Sequence, residues 1–358
     1  MSTAKKTLII LTPGFAEDEA DTSCLPFLQN LVIELNEQFP LLNIVILAFD
    51  YPFRSAEYKW HYNTINSFNG WKKRKFKKLL KWWYIWSCLK KIRKNNNVTG
   101  ILSLWCSECA YLGKQFAKQN QLPHFCWIQG QDAKRENKYP GRIKPLPAEL
   151  LALSDFIQRE FEKNHGIRPQ HIIPVGIRPA EFGKETFKRD IDILGAGSLI
   201  PLKQYGLFIE TVHYIKQFFP GIKVILCGKG PDEKNIQTLI IKYQLQKNIT
   251  LTGELPHEEI LWYMKRSKVF LHTSNYEGLG VVCIEALYAG CHVISFVQPF
   301  NKSIDQWHIV QTKEQMVEKA YAILNNPVTA YKSVSTFTMK ESAKKLMELY
   351  HYNESASR

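Results

Sequence analysis

The sequence predicts an α/β protein made of two doubly wound, parallel-sheet domains, and three observations carry that expectation. Short β-branched runs alternate with helical patterns of about 10–15 residues, the mark of βαβ units and a parallel sheet covered on both faces. The chain has 358 residues, more than a single core of roughly 100–200 residues comfortably serves. A Pro- and Gly-rich stretch, IRPQHIIPVGIRPAEFGKETFKRD at residues 167–190, interrupts the alternation and ends where a new strand begins.

In the first half TLIIL, NIVILAF, VTGILSLW and HFCWIQ read as strands, with LPFLQNLVIELNEQF and AYLGKQFAKQ as helices between them. In the second half DIDILGAG, IKVILCGKG, NITLTGE, KVFLHTS and CHVISF read as strands. Their helices are YGLFIETVHYIKQFF, EKNIQTLIIKYQL, HEEILWYMKRS and GVVCIEALYAG, and a further helix, MKESAKKLMELYHY, follows the last unit. The expected division is 1–178, 179–335 and a C-terminal helix in 336–358 that packs back on the first domain. Two such domains are expected to leave a crevice facing the carboxyl ends of both sheets.

Hydrophobic content of 45% and charged content of 22% describe a globular chain. No run of about 18 uncharged apolar residues is present to span a membrane. The opening apolar run, TLIIL, is shorter than the core of about 7–15 residues of a secretory leader. With eight scattered cysteines, this leads us to expect reduced thiols and a cytoplasmic location.

The net charge of +14 is concentrated. From Tyr58 to Ser107 there is no Asp or Glu, while twelve Lys and Arg residues fall there, Lys72, Lys73, Arg74, Lys75, Lys77, Lys78 and Lys81 among them. One localised anionic partner is implied. In WKKRKFKKLLKWWYIWSCLKKIRK (71–94), Phe76, Leu80, Trp83 and Trp86 follow helical spacing. A crossover helix with solvated lysines is one reading. A basic, aromatic-edged surface on an anionic membrane is the sharper one. Nucleic acid is disfavoured, because no nucleic-acid motif accompanies the charge.

The chemistry concentrates in SNYEGLGVVCIEALYAG, residues 274–290. Glu277 falls in the loop after a strand, and Gly280 opens a helix. Gly278, Leu279 and Gly280 bring backbone N–H groups to that helix's N-terminus, which favours an anion such as a pyrophosphate. Glu285, about a turn and a half into the helix, has two oxygens to accept both hydroxyls of a ribose. Glu277, at the mouth, suits the hydroxyls of a sugar. In GAGSLIPLKQYG (195–206), Gly197 and Ser198 follow a strand and Lys203 stands at the next helix start, where its ammonium neutralises a phosphate. Gly228 and Gly230 of CGKGPDE form a third glycine loop of the same kind.

The order GAGSLIPLK, VILCGKGPDE, ITLTGELPHEEILWYM and VFLHTSNYEGLGVVCIEALYAGCHVIS resembles the retaining GT-B glycosyltransferases of family 4, over roughly residues 190–300. That resemblance implies the GT-B fold, with its interdomain cleft, and transfer of a sugar from a nucleotide donor, a UDP- or GDP-sugar, with retained anomeric configuration and without a metal or other cofactor. It implies that Lys203 holds the diphosphate, that Glu277 holds the donor sugar and that Glu285 holds the ribose. Lys203 and Glu277 would be the catalytic pair. Gly14, after the first strand, and Gln129 and Asp132 of WIQGQD would lie on the acceptor and sugar side. Two positions depart from the family's pattern. Ser198 stands where an arginine is usual, and Gln129 stands where a histidine is usual. Gln129 can orient a hydroxyl but cannot exchange protons near neutral pH.

Other motifs are incomplete. GAG lacks the third glycine of a dinucleotide fingerprint. Asp190 and Asp192 begin a strand rather than end one, so they read as solvated entry charges instead of metal ligands. Cys106 and Cys109 lack a partner pair for zinc, and Leu261 stands where HEEIL would need a second histidine. The expectation is a transferase acting on a glycan or lipid-linked acceptor in cell-surface polysaccharide or glycolipid synthesis, peripheral on the inner face of the membrane. A catalytically silent scaffold binding anionic partners and a soluble small-molecule transferase are the competing readings.

Overall fold

A computed structural model of the chain describes residues 5–70 and 75–352, with side chains for all of these but 75–77. It forms two compact units, residues 1–176 with 339–358 and residues 177–338.

In the first unit the elements run β1 (Lys6–Gly14), α1 (Pro26–Gln38), β2 (Asn43–Tyr51), β3 (Ser55–Trp60), β4 (Asn63–Phe68), α2 (Lys75–Asn95), β5 (Asn97–Leu104) and α3 (Glu108–Asn120). Then come β6 (His124–Ile128), α4 (Tyr139–Ile143), β7 (Leu150–Ala152), α5 (Asp155–His165) and β8 (His171–Ile172). The sheet order is β3-β4-β2-β1-β5-β6-β7-β8, parallel except for the β3–β4 hairpin. Leu8 to Leu11 of β1 are fully buried, because helices cover both faces of a central parallel strand. The hairpin is not among the expected strands, and SAEYKW and NTINSF have the alternating exposure of an edge ribbon.

Helix α2 departs from expectation. Its buried stripe is Lys81, Ile85, Leu89 and Ile92, at helical spacing, with Ile85, Leu89 and Ile92 in the core under β1, β2 and β5. Leu80 and Trp83, read as part of an apolar face, are 50% and 62% exposed, and Trp86 is half-buried against Phe116. Lys81, counted among the lipid-facing lysines, is turned inward. Its ammonium lies 2.8 Å from an oxygen of Asp50 and 2.7 Å from one of Glu108. Two carboxylates are what make burial of that charge tolerable. Lys72, Lys73 and Arg74 lie outside the described residues, as do the side chains of Lys75, Phe76 and Lys77.

In the second unit the elements are β9 (Ile191–Ala196), α6 (Tyr205–Lys216), β10 (Val224–Cys227), α7 (Glu233–Lys242), β11 (Ile249–Gly253), α8 (His257–Arg266) and β12 (Ser267–His272). They continue as α9 (Val281–Tyr288), β13 (His292–Ser295), β14 (Trp307–Ile309) and α10 (Lys313–Asn325). Every strand pair is parallel, in the order β11-β10-β9-β12-β13-β14. That is the 3-2-1-4-5-6 order of a doubly wound dinucleotide-type sheet, whose strand order reverses between β9 and β12. A last helix, α11 (Met339–Leu349), returns to the first unit and packs on α1 with Met339, Ala343, Leu346 and Met347 buried.

Candidate active site

The reversal between β9 and β12 is where such a sheet opens a crevice at its carboxyl edge, and both principal candidates flank it. Lys203 closes the 3-10 turn Pro201–Lys203 after β9, while Glu277 lies in the loop after β12. Their side chains meet, Nζ to Oε2 at 2.5 Å. Thr273 locks the two loops by donating from Oγ1 to the carbonyl of Lys203 at 2.8 Å. Buried His272, the last residue of β12, places Nε2 3.5 Å from the same carboxylate oxygen. Burial pushes the Glu277 carboxyl up, but the His272 hydrogen bond and the Lys203 ammonium outweigh it and hold it at about 2. Burial, with Lys203 adding to it, keeps His272 below the usual histidine range despite Glu277. Glu277 is therefore an anion near neutral pH, and Lys203 is its counter-ion.

Gly280 caps α9 in the left-handed region, at φ 69°. Leu279 is 2% exposed, so its side chain belongs to the core. Glu285, within α9, is not a lone carboxylate: its Oε1 lies 2.9 Å from Nε2 of His257, the first residue of α8. Burial pulls His257 down, but Glu285, with Glu181 adding to it, more than compensates and raises the imidazole above its usual range. Sequence reasoning reads His257 only as a helix start. No local signal marks the pair, because the two residues are 28 apart in sequence.

The glycine loops after β9 and β10 interlock. The N–H groups of Gly197 and Leu199 donate to the carbonyls of Cys227 and Lys229, and that of Gly228 donates to Gly253. A Cβ on Gly228 would lie 1.9 Å from the Gly197 carbonyl oxygen, and one on Gly230 would lie 2.3 Å from that of Leu199. The amides of Gly197 and Gly228 are thus engaged within the fold, and these glycines set how closely the loops approach. Ser198, at the position where an arginine is usual, is exposed at the loop tip.

The acceptor-side candidates belong to the first unit. Gly14 ends β1 and Gln129 follows β6, both at the carboxyl edge of that sheet. Asp132 does not face outward. It is 6% exposed and accepts from the backbone N–H groups of Cys106 at 2.6 Å and of Gln129 and Gly130 at 2.9 Å. Its work is to shape the loop that carries Gln129. Burial pushes its carboxyl up to about 7 against the pull of those donors. Trp105, directly after β5, has φ 64°, a conformation that bulky residues avoid and that marks sites where strain is retained.

Asp190 and Asp192 sit at the entry to β9, where each has a basic partner. Asp190 accepts from the Arg266 guanidinium, and Asp192 lies 2.8 Å from Lys268. Cys106 and Cys109 are fully buried, and burial raises Cys109 well above the ordinary thiol range.

Among proteins of known structure, the likeness is first one of fold. Over 98% of its length the chain resembles a sucrose-phosphate synthase from Thermosynechococcus elongatus, at TM-score 0.67 and 16% identity, covering 96% of that chain. It also resembles Anabaena Alr3699/HepE crystallised with UDP-glucose, at TM-score 0.64 and 13% identity, over 96% of this chain and 97% of that one. The fold is GT-B, two Rossmann-like α/β units. Residues 178–335 match the family described as glycosyl transferases group 1. A phosphatidylinositol N-acetylglucosaminyltransferase from Homo sapiens is 27% identical over 126 residues, 35% of this chain and 26% of that protein. The matched stretch thus spans about a quarter of that relative. These findings support a place among the group 1 glycosyl transferases.

Proposed function

We propose that the protein transfers a sugar from a nucleotide-sugar donor to a glycan or lipid-linked acceptor, with retention of configuration. The observation that carries this is the Lys203–Glu277 pair, 2.5 Å apart at the reversal of the second sheet. The donor's diphosphate takes the place of the Glu277 carboxylate at Lys203, and Glu277 turns to the sugar hydroxyls. Glu285, steadied by His257, accepts from the ribose. The UDP-glucose held by the Anabaena neighbour supports a UDP-sugar as the donor.

As the bond from the anomeric carbon to the diphosphate oxygen breaks, negative charge grows on the leaving oxygen and positive charge on the sugar. Lys203 stabilises the first, and a fixed cation in a partly dry site supplies a large share of the rate. The acceptor oxygen attacks from the face the diphosphate leaves, and its proton passes to the departing phosphate. No protein base is needed, in keeping with Gln129 where a histidine is usual. On the acceptor side we place Gly14, Gln129 and Trp105 at the edge of the first sheet, with Asp132 shaping their loop. No metal or other cofactor takes part.

We further place the protein at the inner face of the cell membrane, held by its basic helix. The human relative's name, a phosphatidylinositol N-acetylglucosaminyltransferase, supports a lipid-linked substrate. Among the described residues no helix is long and apolar enough to cross a membrane. The experiment is a thermal-shift and hydrolysis panel of UDP-, GDP- and ADP-sugars, followed by NMR of the product's anomeric proton. Stabilisation by one nucleotide class and a retained anomer are expected. Absence of binding to all of them would favour the silent scaffold, and an inverted product would remove the same-face mechanism.

A further inference from the structure

Helix α2 is apolar on two opposite sides, and only one of them is needed by the fold. At about 100° per residue, the buried stripe Lys81, Ile85, Leu89 and Ile92 occupies one side. Leu79, Leu80, Trp83 and Tyr84 fall on the other, within an arc of about 140°, and are 63%, 50%, 62% and 51% exposed. The Trp83 and Tyr84 rings pack edge to face, centroids 5.0 Å apart. Single exposed apolar residues are ordinary, but four on adjacent positions of one helix form a patch.

The same arc continues into charge. Lys90, Lys91 and Lys94 are exposed and lie on it two to three turns further along, roughly 10–16 Å from Trp83 at about 1.5 Å per residue. Glu57 places its carboxylate 3.9 Å from Lys91, in a pair that is mostly exposed on both sides. From Tyr58 to Ser107 the chain contributes no carboxylate at all. Trp and Tyr are residues that settle at the boundary between headgroups and acyl chains, and lysines beside them attract anionic headgroups.

We infer that α2 is an interfacial wedge: Leu79, Leu80, Trp83 and Tyr84 enter the acyl boundary of an anionic bilayer, while Lys90, Lys91 and Lys94 rest on its headgroups. This deepens the peripheral-membrane reading above and rests on it. It also narrows the basic, aromatic-edged surface expected over residues 72–94 to one face of α2, a face that excludes Lys81, and makes its apolar part the inserted one. Salt weakens the lysine part, since the Debye length falls from about 10 Å at 0.1 M to about 3 Å at 1 M, and leaves the apolar part in place.

The test is flotation of the full chain with vesicles of phosphatidylcholine alone and with phosphatidylglycerol, at 0.1 M and 1 M NaCl, alongside fluorescence quenching by bromine-labelled acyl chains. Wild type should float with phosphatidylglycerol, retain a salt-resistant fraction and be quenched. Trp83→Phe should lose a measurable part of that quenching while still floating. Leu80→Ser with Trp83→Ser and Tyr84→Ser should lose the salt-resistant fraction, and Lys90→Ser with Lys91→Ser and Lys94→Ser should lose most flotation at 0.1 M. All substituted positions are exposed, so circular dichroism and nucleotide binding should be unchanged, which separates this test from the assignment of the donor site. If wild type floats with neither vesicle, the membrane reading falls and the wedge with it. If wild type floats but is fully released at 1 M salt, with Trp83 unquenched, the attachment is electrostatic and the wedge alone is overturned. A change of oligomeric state in the Ser variants without any change in flotation would assign the stripe to a protein contact and overturn the wedge equally.

Discussion

His257 and Glu285 meet across two helices, Nε2 to Oε1 at 2.9 Å, with about a fifth or less of either side chain exposed. The carboxylate proposed to receive the ribose is therefore held by a neighbour on another helix. His257→Ala should weaken nucleotide binding by about 1–3 kcal/mol, the range for a hydrogen bond to a charged group, and leave kcat nearly unchanged. His257→Gln, which keeps a donor, should recover much of the loss. Calorimetric titration with UDP and GDP reads the first effect, and a KM-against-kcat comparison reads the second.

The same pair makes stability depend on pH in a fixed direction. The folded imidazole binds its proton more tightly than the unfolded one, whose pKa is about 6.5. Its contribution is complete below that value and disappears as pH rises through the folded value. The melting temperature of wild type should exceed that of His257→Gln most at pH 5–6, and the gap should narrow as pH rises above 7. A constant gap would mean the imidazole does not titrate with folding.

Lys203→Ala should lower turnover by about two to three orders of magnitude, as when other charge-stabilising donors are removed. It also strips Glu277 of its main counter-ion. The wild-type carboxyl is held at about 2, so its contribution to stability persists above the unfolded value of about 4.3 and is lost as pH falls toward 2. Lys203→Ala should therefore show a shallower loss of stability across that acid range. Acid titration followed by circular dichroism measures it.

Turnover should persist in EDTA. Asp190 and Asp192, the one DxD pattern in the chain, are each occupied by a basic side chain at the entry to β9. Loss of activity in EDTA that Mg²⁺ or Mn²⁺ restores would contradict this.

Two further substitutions separate shape from chemistry. Gly228→Ala would put a methyl group 1.9 Å from a carbonyl oxygen at a φ of 141°, so it should destabilise the second unit by several kcal/mol, on the order of strain plus overpacking. Asp132→Asn keeps the size but leaves one of three N–H donors facing an amide, costing about 1–3 kcal/mol. Thermal unfolding of both variants, with nucleotide binding as the second readout, tests them.

The strands β9, β10, β12 and β13 are legible in the sequence because buried parallel strands read as short apolar runs, and glycine-containing loops mark the carboxyl ends of the first three. Glu277 and Lys203 can be found for the same reason, since each lies in the connection that follows a recognisable strand. What stays hidden depends on pairs far apart in the chain. Lys81 is buried because Asp50 and Glu108, 31 and 27 residues away, converge on it, and nothing adjacent to it announces those partners. Leu80 and Trp83 mislead because α2 carries apolar residues on both sides, so spacing alone does not tell which side faces the core. The β3–β4 hairpin escapes notice because an edge ribbon exposes one face and so lacks the apolar density of its neighbours.

The return of α11 to the first unit has a consequence for biosynthesis. Tyr350 lies against β5 so closely that a Cβ on Gly100 would come within 2.4 Å of its ring, and Ser342 donates to the carbonyl of Pro174. The first unit to be synthesised is thus the last that can be completed, since α1 waits for a segment roughly 300 residues later. The second unit, continuous from 177 to 338, is free to fold meanwhile, as domains do during synthesis. A chain that had emerged only as far as residue 338 would hold one finished domain and one with the α11-facing side of α1 uncovered, and chaperone demand should peak there rather than at the first domain boundary.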